Sequence, residues 1–140
     1  MTVLIDTNAI VAFHNPRDAA HARALELLDA VRRGRFGLAV TTDFVFDEAV
    51  TLALMRTGSH RFALRVGEFL LPPEGPRLFQ LEPVDDRAFA EAWQLFRKYR
   101  ERRLSFTDWT SVAMVRGRGW DGIASFDAGF DGLVARFDTP

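Results

Sequence analysis

The segment Val3–Asn8 has the sequence VLIDTN, in which three apolar residues are followed at once by an acidic and two polar ones. A short run rich in β-branched residues predicts a buried strand over Thr2–Ile5. In α/β proteins, ligands bind outside the carboxyl ends of the strands. Asp6, directly after this strand, is therefore the first candidate site residue. Its alternative role is a helix N-cap, which aspartate fills well.

Outward from this strand, short apolar runs alternate with longer helical patterns. Further strands are predicted at 36–40, 77–82, 122–126 and 133–137, and helices at 19–33, 59–71, 85–103 and 107–116. Thr41 or Thr42 is expected to cap one more helix, which runs to Arg56. Strands separated by helices imply a mainly parallel sheet covered on both faces. The sequence thus predicts an α/β fold, a three-layer α/β/α sandwich with a central five-stranded sheet.

The composition is that of an ordinary globular domain. Hydrophobic residues make up 48% and charged residues 26% of the 140, which argues against disorder. The absence of cysteine excludes disulfides, thiolate chemistry and cysteine-ligated metals. A net charge of −1 disfavours a globally basic nucleic-acid binder and leaves room for a local basic patch. Neither a membrane span nor a signal peptide is visible, so we expect a cytoplasmic protein with one domain over residues 1–140.

Three further acids occupy positions where an α/β sheet builds its site. Asp127 follows the predicted fourth strand as Asp6 follows the first, with a cap or turn role as the alternative. Glu48 falls on the apolar stripe of its helix, whereas the adjacent Asp47 falls on the polar face. A buried ion pair with an arginine is the alternative for Glu48. Asp108 lies at the start of its predicted helix, where the helix dipole alone favours an acid.

The four acids are more informative together than singly. If the first and fourth strands are neighbours, Asp6 and Asp127 meet at one rim of the sheet. Two carboxylates brought together there need a proton or a cation between them. Because no cysteine or histidine accompanies them, the cluster is a hard-oxygen set that suits Mg²⁺ or Mn²⁺ and not zinc. Such ions commonly serve phosphoryl chemistry.

This set of residues resembles the PIN-domain ribonuclease family, and within it the VapC-type toxins of prokaryotic toxin–antitoxin pairs. The resemblance spans residues 3 to about 137 and rests on the order of the motifs: Asp6-Thr7-Asn8, then Glu48, then Ser105-Phe106-Thr107-Asp108, then Asp127 with Phe130. It implies a parallel sheet in the order 3-2-1-4-5, which places the first and fourth strands side by side. It also implies metal-dependent hydrolysis of RNA phosphodiester bonds.

The resemblance implies four catalytic and metal-binding acids: Asp6, Glu48, Asp108 and Asp127. It implies Mg²⁺ or Mn²⁺ as the cofactor, and Asn8 and Thr107 as polar supports. Toxins of this family are typically homodimers held by an antitoxin, so the expected partners are an RNA substrate, a second copy and an antitoxin. The last family motif often carries a second polar residue two positions after the aspartate. Here that position is Gly129, and Asp131 is the candidate replacement.

Other functions remain open from sequence alone. One is a PIN-fold binding module that has lost catalysis, and another is a housekeeping PIN nuclease without an antitoxin. A phosphatase of another α/β family is disfavoured, because Asp6 lacks an Asp-x-Asp nucleophile pattern. A basic run near the end of the long helix is either a solvated helix end or an RNA contact beside the acidic site. This run consists of Arg97, Arg100, Arg102 and Arg103.

Overall fold

The computed structural model describes residues Met1 to Pro140, and its five strands form one parallel sheet. The strands are β1 (Thr2–Ile5), β2 (Leu38–Thr42), β3 (Gln80–Glu82), β4 (Gly122–Ala124) and β5 (Arg136–Phe137). Their order is β3-β2-β1-β4-β5, so β1 lies between β2 and β4. The predicted fold class and strand order are confirmed, including the pairing of the first and fourth strands on which the meeting of Asp6 and Asp127 depends.

Six helices connect the strands: α1 (Thr7–His14), α2 (His21–Arg32), α3 (Asp43–Thr57), α4 (His60–Leu70), α5 (Asp86–Lys98) and α6 (Phe106–Arg118). From β1 to β3 the chain adds strands in one direction along the sheet. It then returns past β1 and adds β4 and β5 in the opposite direction. Because such crossovers are right-handed, the first four helices and the last two cover opposite faces. The strand order reverses between β1 and β4, which is where a binding crevice is expected. None of these helices has the length and apolar character needed to traverse a bilayer.

The helix starts around the site follow capping residues in the sequence. The Thr42 hydroxyl accepts a hydrogen bond from the Val45 N–H at 3.0 Å and caps α3, and Gly58 ends that helix with a φ of 67°. At α6, Ser105 and Asp108 form a reciprocal capping box. The Asp108 N–H donates to the Ser105 hydroxyl at 3.1 Å, and the Ser105 N–H donates to the Asp108 carboxylate at 2.9 Å. Both caps fix acidic residues at the carboxyl edge of the sheet.

In two helices, large apolar side chains lie outside the buried face. In α2 the buried face carries Leu27, Leu28 and Val31, whereas Leu25 is 44% exposed. In α5 the buried residues are Ala88, Ala92 and Leu95, and the exposed ones are Phe89, Trp93 and Phe96. The reason in α5 is close packing on α6, since small side chains let two helices approach each other.

Several element boundaries also differ from the sequence prediction. Helix α5 ends at Lys98, five residues before the predicted end, and the residues up to Ser105 form a loop. Helix α1 begins directly after Asp6, in a segment where only the capping alternative for Asp6 implied a helix. Strand β3 begins at Gln80 instead of 77, and β2 begins at Leu38 instead of 36. Periodicity places the middle of a helix or strand better than its ends, because terminal residues fray and are the least regular.

Candidate active site

A cleft of about 330 Å³ lies at the carboxyl edge of the sheet, where β1 and β4 end. All four predicted acids line it: Asp6, Glu48, Asp108 and Asp127. Asn8 and Ser105 line it too, with Arg56 and Arg103 as its only cations. A larger groove of about 630 Å³ between α5 and α6 contains none of the four acids. The chemistry therefore lies in the smaller cleft, at the point where the strand order reverses.

Asp6 is the most deeply buried of the four acids, at 2% exposure. Its Oδ2 accepts a hydrogen bond of 2.7 Å from the Ser125 hydroxyl, and its Oδ1 is buried without a hydrogen-bond partner. Although Asp6 stands at the N-cap position of α1, its side chain makes no capping bond. Burial raises the pKa of Asp6 to about 8, and the Asp108 and Glu48 carboxylates add to the increase. A helix cap therefore does not account for this residue.

Glu48 and its neighbour Asp47 point in different directions from α3. Glu48 is half-buried at the cleft, and its Oε2 accepts a hydrogen bond of 3.1 Å from the Ser105 hydroxyl. Asp47 is exposed, and its carboxylate accepts a 3.5 Å bond from Thr51 on the same helix. The partner of Glu48 is thus a hydroxyl and not the arginine that the ion-pair alternative requires. The helical wheel placed both residues correctly.

Asp108 and Asp127 combine a local structural role with a place in the cleft. Asp108 belongs to the capping box of α6, and burial raises its pKa to about 6, with the carboxylates of Glu48 and Asp127 adding to the increase. The Asp127 Oδ1 accepts a 2.8 Å bond from the Gly129 N–H and so caps a single 3₁₀ turn, Ala128–Phe130. Both structural alternatives, a first-turn acid for Asp108 and a turn cap for Asp127, are therefore true without removing either acid from the cleft.

Ser125 is a central residue that the sequence analysis did not identify. It is fully buried just after β4, and its hydroxyl donates to Asp6 while accepting a 3.0 Å bond from the Asp127 N–H. The Asn8 Nδ2 lies 3.3 Å from the same hydroxyl, and the Asn8 Oδ1 accepts from the Phe126 N–H at 3.3 Å. Ser125 and Asn8 therefore tie the end of β1 to the end of β4 and set the relative position of two of the acids.

The remaining predicted supports differ in where they lie. A Cβ at Gly129 would lie 2.9 Å from the Asp127 Oδ1 and from the Leu104 side chain, so a larger residue there would displace one of the two. Asp131 does not line the cleft, since both of its carboxylate oxygens pair with Arg136, at 2.8 and 3.2 Å. That guanidinium holds the pKa of Asp131 below its usual value. Thr107 is half-buried in the first turn of α6, but its side chain is not part of the cleft wall.

We expect Ser125→Ala to destabilise the fold by about 1–3 kcal/mol, because a buried carboxylate and a buried N–H lose their hydrogen-bond partner. The matched control is Ser111→Ala, since the Ser111 hydroxyl is equally buried and has no partner to lose. Urea unfolding of both variants at neutral pH measures the difference. Equal losses from the two substitutions would contradict a special role for Ser125.

The four carboxylates of the cleft are the type of ligand that a hard divalent cation prefers, because their ligating atoms are all oxygens. The Oδ1 of Asp6 is buried without a hydrogen-bond partner, and a cation would satisfy it. The raised pKa values of Asp6 and Asp108 express first the cost of burying each charge and then its repulsion by neighbouring carboxylates, and a cation would offset both. No three acidic or histidine side chains of the structure are grouped closely enough to hold a metal ion as they stand.

Comparison with known proteins identifies the family. Residues 3–134 match the PIN domain, and the chain belongs to that family. The 23S rRNA-specific endonuclease VapC20 of Mycobacterium tuberculosis is 29% identical over 128 residues, 91% of each chain. Its crystal structure, described as a sarcin-ricin loop cleaving toxin, gives a TM-score of 0.79 over 91% of this chain and 92% of that one. FitAcB from Neisseria gonorrhoeae, at 21% identity, gives 0.68 over 98% and 96%, a likeness of fold alone.

Proposed function

We propose that this protein is a metal-dependent endoribonuclease that acts as the toxin of a VapBC-type toxin–antitoxin pair. The observation that carries the proposal is the convergence of four carboxylates in one cleft, where burial raises the pKa of Asp6 and the nearby Asp108 and Glu48 raise it further. That cleft belongs to a PIN-family chain whose relative VapC20 is a 23S rRNA endonuclease. The proposed location is the cytoplasm, because an RNA substrate is found there.

The proposed cofactor is Mg²⁺ or Mn²⁺, held by the oxygens of Asp6, Glu48, Asp108 and Asp127. When bound, such an ion activates water and offsets charge on the leaving oxygen of a phosphodiester. The chain's own residues position the acids for that role. The hydroxyl of Ser125 orients Asp6, and the hydroxyl of Ser105 orients Glu48. With a pKa of about 8, Asp6 holds a proton at neutral pH in the metal-free protein, so cation binding is coupled to release of that proton.

The direct test is cleavage of single-stranded RNA by the purified protein. We expect cleavage with Mg²⁺ or Mn²⁺ and complete loss of cleavage in excess EDTA. The reason is that the carboxylates alone repel the anionic phosphodiester and cannot offset its charge. Gel analysis of a labelled RNA before and after chelation, followed by re-addition of the metal, measures this. Full-rate cleavage in EDTA would refute the metal mechanism, and no cleavage with either metal would favour the catalytically silent binding module.

The proposed protein partner is an antitoxin that covers the acidic cleft. This part of the proposal draws on VapC20, which is described as a toxin. An antitoxin partner distinguishes a toxin from a housekeeping nuclease. Co-expression with the product of the neighbouring gene is the informative experiment. A small DNA-binding protein that co-purifies with the chain and suppresses its cleavage of RNA supports the toxin assignment. A free-standing gene, with a nuclease harmless to growth when expressed alone, favours the housekeeping alternative.

The proposed homodimer uses the exposed aromatic face of α5. Phe89, Trp93 and Phe96 are 44–48% exposed, and Phe89 and Phe96 contact the half-buried Phe106 at ring distances of 5.2 and 6.4 Å. Continuous apolar surface of this kind is typical of a self-complementary interface. We expect Trp93→Ser to convert a dimer into a monomer in sedimentation, whereas Leu64→Ser, at another exposed apolar position, leaves the dimer intact. A monomeric wild-type chain would refute this interface.

A further inference from the structure

Two arginine side chains in the acidic cleft are left without an anionic partner. Arg56 and Arg103 line the cleft, are exposed, and take part in none of the ion pairs of the structure. Two other arginines near the cleft do have protein partners. Arg102 donates to the Gly129 and Asp131 carbonyls at 2.8 and 3.2 Å, and Arg136 pairs with two aspartates. The fold therefore uses neither of these two guanidinium groups in a hydrogen bond or an ion pair, and both are free to bind a ligand of the cleft.

The two arginines reach the cleft from different elements. On α3, Glu48, Leu52 and Arg56 follow each other at intervals of four residues, and all three line the cleft. At a rise of 1.5 Å per residue, Arg56 stands about 12 Å along the helix from Glu48. Arg103 lies in the loop before α6, beside the buried Leu104 and two residues before Ser105, whose hydroxyl contacts Glu48. The cleft thus joins a carboxylate centre to two separate cationic groups.

We propose that Arg56 and Arg103 are positioning residues that bind backbone phosphates of the RNA next to the bond that is cut. The inference rests on the proposed ribonuclease function and assigns the substrate contacts of that site. Four carboxylates repel a polyanion, so productive binding needs nearby positive charge. Guanidinium suits this task because its planar array of donors matches two phosphate oxygens. In this arrangement the two guanidinium groups contact phosphates of the RNA and leave the reacting water to the acids.

The test measures binding and cleavage separately. Binding of a fluorescein-labelled single-stranded oligoribonucleotide of mixed sequence is followed by anisotropy in EDTA, between about 50 and 200 mM salt. We expect Arg56→Gln and Arg103→Gln each to reduce the slope of log K against log salt by about 0.7, and the double variant by about 1.4. Arg103→Lys should restore the slope, since it restores the charge. Arg77→Gln is the control, because Arg77 is exposed, has no ion-pair partner and precedes β3, at the edge of the sheet opposite the cleft. This variant should leave the slope unchanged.

In cleavage assays with saturating metal, we expect each glutamine variant to raise KM about tenfold, as for one lost charged hydrogen bond, with kcat little changed. Circular dichroism checks that each variant is folded. If the wild type cuts RNA but the glutamine variants leave the salt slope and KM unchanged, the inference is wrong. It is also wrong if Arg77→Gln has an equal effect, or if the variants lower kcat alone. If the wild type cuts no RNA with either metal and the salt slope still depends on the two arginines, the ribonuclease proposal fails while phosphate binding stands.

Discussion

Replacing Glu48 with glutamine is expected to reduce RNA cleavage at least about 100-fold, the scale for losing a group that stabilises charge or positions reactants. Glutamine keeps the size of the side chain and can still accept the hydrogen bond from the Ser105 hydroxyl, so the fold should be retained. What disappears is one negative charge at the cleft. Asp47→Asn removes an identical charge one residue away on the solvent face, and is expected to change the rate less than about twofold.

The pair of variants separates three explanations, because the two residues differ by about 100° around α3. Rates are measured at saturating metal, with far-ultraviolet circular dichroism as the folding control. A large loss from Glu48→Gln alone supports its place among the metal-binding acids. Equal losses would mean that only the total charge matters. A larger loss from Asp47→Asn would contradict the orientation of α3 and remove Glu48 from the proposed site.

Much of the site could be predicted because its signals are local. An apolar strand that ends in an acid, as at Asp6, marks the carboxyl edge of a sheet whatever the rest of the chain does. The wheel of α3 separates Glu48 from Asp47 within a single turn, and the order of motifs brings Asp108 and Asp127 into the same family pattern. Strand order followed from the family resemblance, since the spacing of residues alone left it open.

The rest depends on contacts between distant parts of the chain. Ser125 lies 119 residues from Asp6, and a single serine after a short strand has no periodicity or charge to mark it. The buried face of α5 is set by how closely α6 approaches, so Ala92 is inside and Trp93 outside, although a hydrophobicity pattern alone favours the tryptophan. Asp131 is a local case: its partner Arg136 is only five residues away, but the irregular turn between them has no periodicity that indicates the pairing.

Asp6→Asn is expected to abolish cleavage while raising the thermal stability of the metal-free protein at pH 8 and above. The sign follows from the raised pKa. In the unfolded chain Asp6 ionises near its ordinary value of 3.8, but in the fold it holds its proton up to about pH 8. Its stabilising contribution is therefore complete below about pH 4 and is lost as the pH rises through 8. Asparagine is neutral throughout and can still accept the Ser125 hydrogen bond, so the variant escapes that loss.

The pH dependence of this gain distinguishes a strained site acid from a structural one. Melting temperatures measured in EDTA from pH 5 to 9 should diverge between wild type and Asp6→Asn as the pH increases, with the curves closest at pH 5. Both proteins should keep the loss of stability that Asp108, with a pKa of about 6, produces between about pH 4 and 6. Asp85→Ala is the opposite control, because Asp85 caps α5 and its pKa is lowered by the Ala88 N–H, so its removal lowers the melting temperature at pH 8. If Asp6→Asn behaves like Asp85→Ala and retains cleavage, Asp6 is a structural residue and the metal centre must be built from other groups.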